Sequence, residues 1–174
     1  MATADQLPRV DPMGKLPRLT GAYAGFLRTP PGRWLGINVA ARIDPWLMRT
    51  TKGRVGMGLF LPSALLTSRG AKSGAERVNP VLYFHDGDDV ILIASSWGRD
   101  KHPSWYYNVR AHPGEVRLGK AGGGARFRAS EVTDSAERQR LWSMADRVYP
   151  GYAHYRKLAG AAGREIPIFR LVSA

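Results

Sequence analysis

The stretch from Arg77 to Ala94 limits what the rest of the chain can do. Arg77-Val78-Asn79-Pro80-Val81-Leu82-Tyr83-Phe84-His85 and Val90-Ile91-Leu92-Ile93-Ala94 are two β-rich apolar runs, joined by Asp86-Gly87-Asp88-Asp89. An acidic, glycine-bearing link between two such runs predicts a β-hairpin. Both ends of that hairpin open into segments rich in glycine, small hydroxyl residues and cations. Upstream lies Leu65-Leu66-Thr67-Ser68-Arg69-Gly70-Ala71-Lys72-Ser73-Gly74, and downstream lie Ser95-Ser96-Trp97-Gly98 and Lys101 to Asn108. Loops of this kind on a β scaffold suit an anionic, partly aromatic ligand.

The elements around the hairpin narrow the fold. Glu115 to Leu118 and Ala125 to Val132 alternate polar with apolar residues across Gly122-Gly123-Gly124, a second hairpin. Pro103 to Ala111 reads as a short helix. Asp134 with Glu137 three residues on is a capping-box pattern opening a longer helix, whose Leu141, Trp142, Ala145, Val148 and Tyr149 share one face. Pro150-Gly151 interrupts it before a further helical turn or two. Ile166-Pro167-Ile168-Phe169-Arg170-Leu171-Val172 is a last strand, with Pro167 marking an edge or strand end. Five or six antiparallel strands with few helices give an α+β chain, a small barrel rather than a doubly wound sheet.

With 174 residues the chain is expected to form one domain over 59–174, preceded by a mobile basic arm at 1–33 and an amphipathic helical segment and link at 34–58. The arm carries Pro8, Pro12 and Pro17 and has no apolar core of a signal peptide. In the segment that follows, Asn38, Arg42 and Arg49 form one thin polar stripe, while Trp34, Ile37, Val39, Ile43, Leu47 and Met48 cover most of the remaining circumference, with a break at Asp44-Pro45. That pattern suits packing on a sheet or lying in a membrane interface. The net charge is +12, and residues 1–58 hold nine Lys/Arg against three Asp, half of the excess in a third of the chain. Nucleic acid, an anionic membrane face or an anionic small ligand would each explain it. Cysteine is absent, which removes thiol chemistry and fits a reducing compartment. His85, His102, His112 and His154 have no metal-ligand spacing, so no metal site is expected.

Several residues are candidates for chemistry. Lys72, Ser73 and Gly74 with Arg69, Gly70 and Arg77 form either a solvated basic turn or an anion cradle; the order of a P-loop is missing. Ser95 ends a buried strand, where it is a cap or a hydrogen-bonding group facing a planar ring, and no base partner is visible for a hydrolytic triad. Trp105, Tyr106 and Tyr107 cannot all face one way on a helix. Tyr149, Tyr152 and Tyr155 recur every three residues, as core packing or as a wall of phenols facing a substrate.

Taken together, Gly70 to Arg77, Asn79-Pro80, Ala94-Ser95, Lys101 to Asn108, and Tyr149-Pro150-x-Tyr152-x-x-Tyr155 followed by Ile166-Pro167-Ile168 resemble the deazaflavin-dependent nitroreductase family, from about Ile43 onwards. The resemblance implies a split β-barrel, like the FMN-binding split barrels, flanked by short helices and binding reduced coenzyme F420. It implies hydride transfer to quinones, activated alkenes (enones) or nitroaromatics. Lys72, Ser73 and Arg77 would meet the cofactor's phosphate or glutamate tail. Pro80, Val81, Ala94 and Ser95 would line its ring, beside Trp97 and Gly98, which replace a Gly-Gly pair and narrow the pocket. Lys101, His102, Pro103, Trp105 and Tyr106 would close over it. Ser95 with Tyr149, Tyr152 and Tyr155 would face the reacting oxygen of the substrate. Leu82 occupies a position where the nitro-activating type has tyrosine. The location implied is cytoplasmic, with the N-terminal segment able to meet an anionic membrane surface. The competing readings are an FMN-binding split barrel and a basic nucleic-acid-binding barrel. Against the latter, aromatics do not alternate with cations along one strand, and no nucleic-acid partner is expected.

Overall fold

A computed structural model of the protein describes residues 7–14, 61–120 and 124–174, together with scattered positions between 25 and 50. Six strands close into one antiparallel barrel in the order β1-β2-β3-β6-β5-β4, with β4 returning to pair with β1. The strands are β1 (Ser63–Arg69), β2 (Glu76–Asp86), β3 (Asp89–Ile93), β4 (Val116–Gly119), β5 (Ala125–Glu131) and β6 (Ile168–Ser173). Around them lie α1 (Pro30–Leu35), α2 (Ser104–Ala111), α3 (Ser135–Val148) and α4 (Gly151–Ala161), and a single 3-10 turn at Ser96–Gly98.

The hairpin expected at the centre of the chain is present as β2 and β3, with Asp86 opposite Asp89 across Gly87-Asp88. Its apolar run is continuous rather than alternating because β3 is covered on both faces. Val90 and Leu92 point inward with Leu66, Tyr83, Leu118, Phe127 and Leu171 from the other five strands. Ile91 and Ile93 point outward, under Leu141, Ala145, Val148 and the tyrosines of α3 and α4. Burying one such side chain contributes roughly 1.5–3 kcal/mol. Trp105, Tyr106 and Val109 of α2 join the inner cluster. Tyr107, on the opposite side of that helix, is 51% exposed.

One local expectation, the capping box, changes in the folded chain. Asp134 caps α3 by accepting from the Glu137 amide at 2.8 Å. The Glu137 carboxylate does not reach back to complete a capping box; it takes a 2.6 Å hydrogen bond from Arg170 instead. Within the arm expected over 1–33, Pro8 to Val10 lies against the barrel. The Tyr83 hydroxyl donates to the Pro8 carbonyl at 2.9 Å, and the Val10 amide donates to His85 Nδ1 at 3.1 Å. Most of the amphipathic segment at 34–58, and Gly122-Gly123, fall outside the described residues. Trp34, Ile43 and Trp46, which are described in part, are exposed.

Candidate active site

A cavity of about 280 Å³ opens where β2, the end of β3, the start of α2 and the α3–α4 corner meet. One wall is the strand segment Asn79-Pro80-Val81-Leu82 with Leu61, Ser63 and Ile93. The second is the loop after β3, with Ser95, Ser96, Trp97 and Arg99, continued by Pro103, Ser104 and Trp105. Tyr149, Tyr152 and Tyr155 form the third. Residues separated by more than 70 positions thus share one largely apolar slot, because β2 and β3 pair and α3 and α4 pack on their outer face.

The tyrosines are ordered by the break between the helices. The Tyr149 and Tyr155 hydroxyls lie 2.9 Å apart, with either able to donate. Tyr152 sits edge-on to Tyr149 at 5.2 Å and to Tyr155 at 6.4 Å. Gly151 is required here, since a Cβ would overlap the Tyr149 ring. Burial, with smaller contributions from Tyr149 and Asp146, pushes the Tyr152 phenol far above its usual range. It is therefore a proton-bearing donor at any working pH, not a phenolate.

The loop wall is strained. Ser96 and Trp97 have φ of 51° and 58°, and Gly98 follows at 71°. Two non-glycine residues in the left-handed region cost of order 1–3 kcal/mol each and persist only where surroundings enforce them. Trp97 lies edge-on to Tyr155 at 5.9 Å, so it narrows the slot. Gly98 does not line the slot; its Cα packs on α4, where a Cβ would come within 3.0 Å of Tyr155 and Leu158.

Not every candidate from the sequence reaches the cavity. Pro80, Val81, Ser95, Trp97, Pro103, Trp105 and the three tyrosines line it. Ala94 is buried just behind, bonded through its amide to the Pro167 carbonyl at 2.9 Å. Lys72, Ser73 and Arg77 stand exposed on the β1–β2 turn beyond the Asn79 end, with Arg77 donating to Ser73 Oγ at 3.4 Å. Arg69 faces away and pairs with Glu115 at 3.3 Å. Lys101 is exposed, and His102 and Tyr106 turn to the far side of the loop. There the two rings stack at 4.2 Å and the Tyr106 hydroxyl accepts from Arg110.

Three residues matter here to which the sequence reading gave no role: Asn79 and Asn108 stood in its motifs, and Arg164 did not. Asn108 of α2, buried, accepts from the Ala71 amide at 3.0 Å and donates to Ser68 Oγ at 3.4 Å, fixing the cationic turn to the helix. Its place three residues after Trp105, on the buried face of α2, was the available signal. Arg164 holds the loop wall from behind. Asn79 presents a buried Oδ1 with no hydrogen-bond partner among the described residues. A ligand donor that reached this acceptor from the cavity would satisfy it.

These geometric features coincide with strong relationships to known proteins. A family model for F420H(2)-dependent quinone reductases matches residues 40–173. The chain belongs to that family. Its cofactor is accordingly reduced F420, and it is an F420H2-dependent reductase. A Mycobacterium tuberculosis F420H(2)-dependent quinone reductase is 30% identical over 142 residues, spanning 78% of this chain and 93% of the relative. A solved F420-H2 dependent reductase is 35% identical, with a TM-score of 0.54 over 64% of this chain and 94% of its own. A second solved structure, described only as a domain-swapped dimer, is 32% identical with a TM-score of 0.56 over 73% of this chain and 97% of its own.

The cavity fits the cofactor's chemistry. A deazaflavin ring offers flat apolar faces to Pro80, Val81 and Trp105, and its pyrimidine edge carries an N–H donor suited to the orphaned Asn79 Oδ1. Lys72 and Arg77 precede Asn79 along the chain and are exposed.

Proposed function

We propose that the slot holds the F420 ring along Asn79-Pro80-Val81 and takes a quinone between the ring and the tyrosines. The observation carrying this reading is that one cavity unites the Asn79-Pro80 strand, Ser95 and three tyrosines. When bound, reduced F420 supplies a hydride, a two-electron donor without one-electron chemistry. The chain's residues do the rest. Pro80, Val81 and Trp105 exclude water and fix the ring plane. Ser95 and Tyr152 donate hydrogen bonds to the quinone oxygen on which negative charge develops, the largest effect such a site can offer. A hydroxyl of the Tyr149–Tyr155 pair can give its proton to the reduced oxygen, draw one from its partner, and be restored to neutrality by a proton from solvent.

Activated alkenes pose the same electrostatic demand at a carbonyl oxygen and fit the same donors. Nitroaromatics fit less well: Leu82 lines the slot where the nitro-activating type carries a tyrosine, and it offers no donor. Exposed Trp34, Leu35, Ile43 and Trp46, amid the cations of the first 58 residues, support a further proposal, that this segment meets an anionic membrane carrying a lipid-soluble quinone. Among the described residues no helix is long and apolar enough to cross a membrane.

The test is anaerobic single-turnover oxidation of F420H2 by a soluble naphthoquinone. Tyr152→Phe should slow hydride transfer by about 10–1000-fold while sparing F420 affinity. Unchanged transfer in both Tyr152→Phe and Tyr155→Phe would return the tyrosines to the core.

A further inference from the structure

The loop that walls the slot is held by one side chain that approaches it from behind. Arg164, in the link between α4 and β6, is 7% exposed. Its Nε donates to the Arg99 carbonyl at 2.7 Å, Nη2 to the Ser95 carbonyl at 2.6 Å, and Nη1 to the Ala94 carbonyl at 3.2 Å. Nη1 also lies 3.2 Å from His102 Nδ1. Among the described residues no carboxylate lies within ion-pairing distance of it. Asp100 acts on it only from beyond that distance. A guanidinium buried without a paired carboxylate is costly, so its surroundings must satisfy it by hydrogen bonds. Here the surroundings are the loop itself.

The bonded carbonyls bracket the strained turn. Ala94 and Ser95 precede the left-handed Ser96, Trp97 and Gly98, and Arg99 follows them. Local bonds within the turn, such as Gly98 N–H to the Ser95 carbonyl at 3.0 Å, do not tie it to the barrel. The planar fork of Arg164 does, from both sides.

We propose that Arg164 is a positioning residue for hydride transfer: its guanidinium locks the 94–102 loop in the strained form that presents Ser95 and Trp97 to the slot, and holds His102 as the Nε2–H tautomer. The tautomer follows from chemistry. A guanidinium has no acceptor, so His102 Nδ1 must be unprotonated to receive its N–H. Other groups act on the same imidazole: the Tyr106 and Tyr107 rings beside it, Glu131 favouring its charged form, and Arg110 opposing it. Burial and Arg164 together lower the basicity of His102, in keeping with a neutral ring.

The proposal rests on the functional reading above for its kinetic consequence, but its structural half is tested without cofactor. In wild-type apoprotein, ¹⁵N NMR of the histidine rings should show His102 protonated on Nε2 and unprotonated on Nδ1 near neutral pH. Arg164→Gln, with fewer donors and no charge, should slow hydride transfer by about 100-fold, while F420 affinity changes by no more than about threefold. Arg164→Ala should recover part of the lost rate when millimolar guanidinium is added, and none with ammonium. A His102 carrying its proton on Nδ1 would overturn the clamp, and this can be read even if neither variant folds. So would wild-type transfer in Arg164→Gln, or rate and affinity falling together with no guanidinium rescue. A chain that binds no F420 yet shows the Nε2–H ring would sink the functional reading and leave the clamp standing.

Discussion

Two arginines six residues apart do opposite kinds of work in this barrel. Arg170, on β6, gathers carboxylates: it lies 2.7 Å from Asp86, 2.7 Å from Asp89 and 2.6 Å from Glu137. Arg140 adds a two-pronged contact to Asp86. That network joins the β2–β3 turn, α3 and β6, far from the slot, and every charge in it has an opposite. Among the described residues, Arg164 hydrogen-bonds carbonyls and an imidazole, with Asp100 acting on it from beyond ion-pairing distance. The first arrangement is self-sufficient, so it stabilises whatever it joins. The second is satisfied only when the loop adopts one shape, so it specifies that shape. Direct ion pairing serves the scaffold, and its absence among the described residues marks the loop behind the slot.

The largest expected effect separates the two. Arg170→Met removes the shared partner of Asp86, Asp89 and Glu137, leaving Arg140 on Asp86 alone, and should cost about 3 kcal/mol, the low end for breaking a buried pair given their partial exposure. The melting temperature should fall by roughly 6–12 °C, with hydride transfer unchanged at temperatures where the protein stays folded. A change in transfer would erase the contrast with Arg164. Next, Gly98→Ala should cost about 1–3 kcal/mol, because it places a side chain at φ 71° and against α4. It should also shift Trp97 and slow transfer, which the Arg170 variant does not.

Acid sharpens the comparison further. Hydrogen bonds from Arg140 and Arg170 hold the Asp86 carboxyl down at about 2. An unfolded aspartate titrates near ~3.9. The network's contribution is thus fully present above about pH 4 and lost as pH falls towards 2. Asp86→Asn should flatten the stability profile over that window. The smallest effect concerns the exposed turn. Lys72→Ala and Arg77→Ala should each weaken F420 by about 1 kcal/mol, with the penalty shrinking in high salt and for a cofactor fragment without phosphate and tail. An equal penalty for the fragment would mean the turn acts through the fold.

The barrel was legible because its signals are local. The Arg77–Ala94 runs, their acidic turn and the Asp134 cap each lie within a few residues. The slot was legible mainly through motif order, since Asn79-Pro80, Ala94-Ser95 and Tyr149 to Tyr155 only meet once β3 pairs and α4 packs. Arg164 was not legible: an arginine after a glycine, before a strand, reads as solvent-facing, and its four partners lie 62 to 70 positions upstream. Glu137 was misassigned for a related reason, because a carboxylate at the third position of a helix suits both a capping box and a distant arginine, and Arg170 offers the stronger, charged bond. His102 was expected over the cofactor, and its ring instead faces Arg164, which needs an acceptor that the sequence does not reveal.

The most direct test uses the orphaned acceptor of Asn79. If its Oδ1 awaits a donor on the cofactor, then Asn79→Leu removes an unsatisfied polar atom from the apoprotein and a hydrogen bond from the complex. The measurement is the melting temperature of wild type and Asn79→Leu, each with and without oxidised F420. The expected result has opposite signs: the variant melts at or above wild type when empty, and the stabilisation conferred by F420 shrinks. A variant that melts lower when empty, yet gains as much from F420 as wild type, would make Asn79 a structural residue and move the cofactor out of this slot.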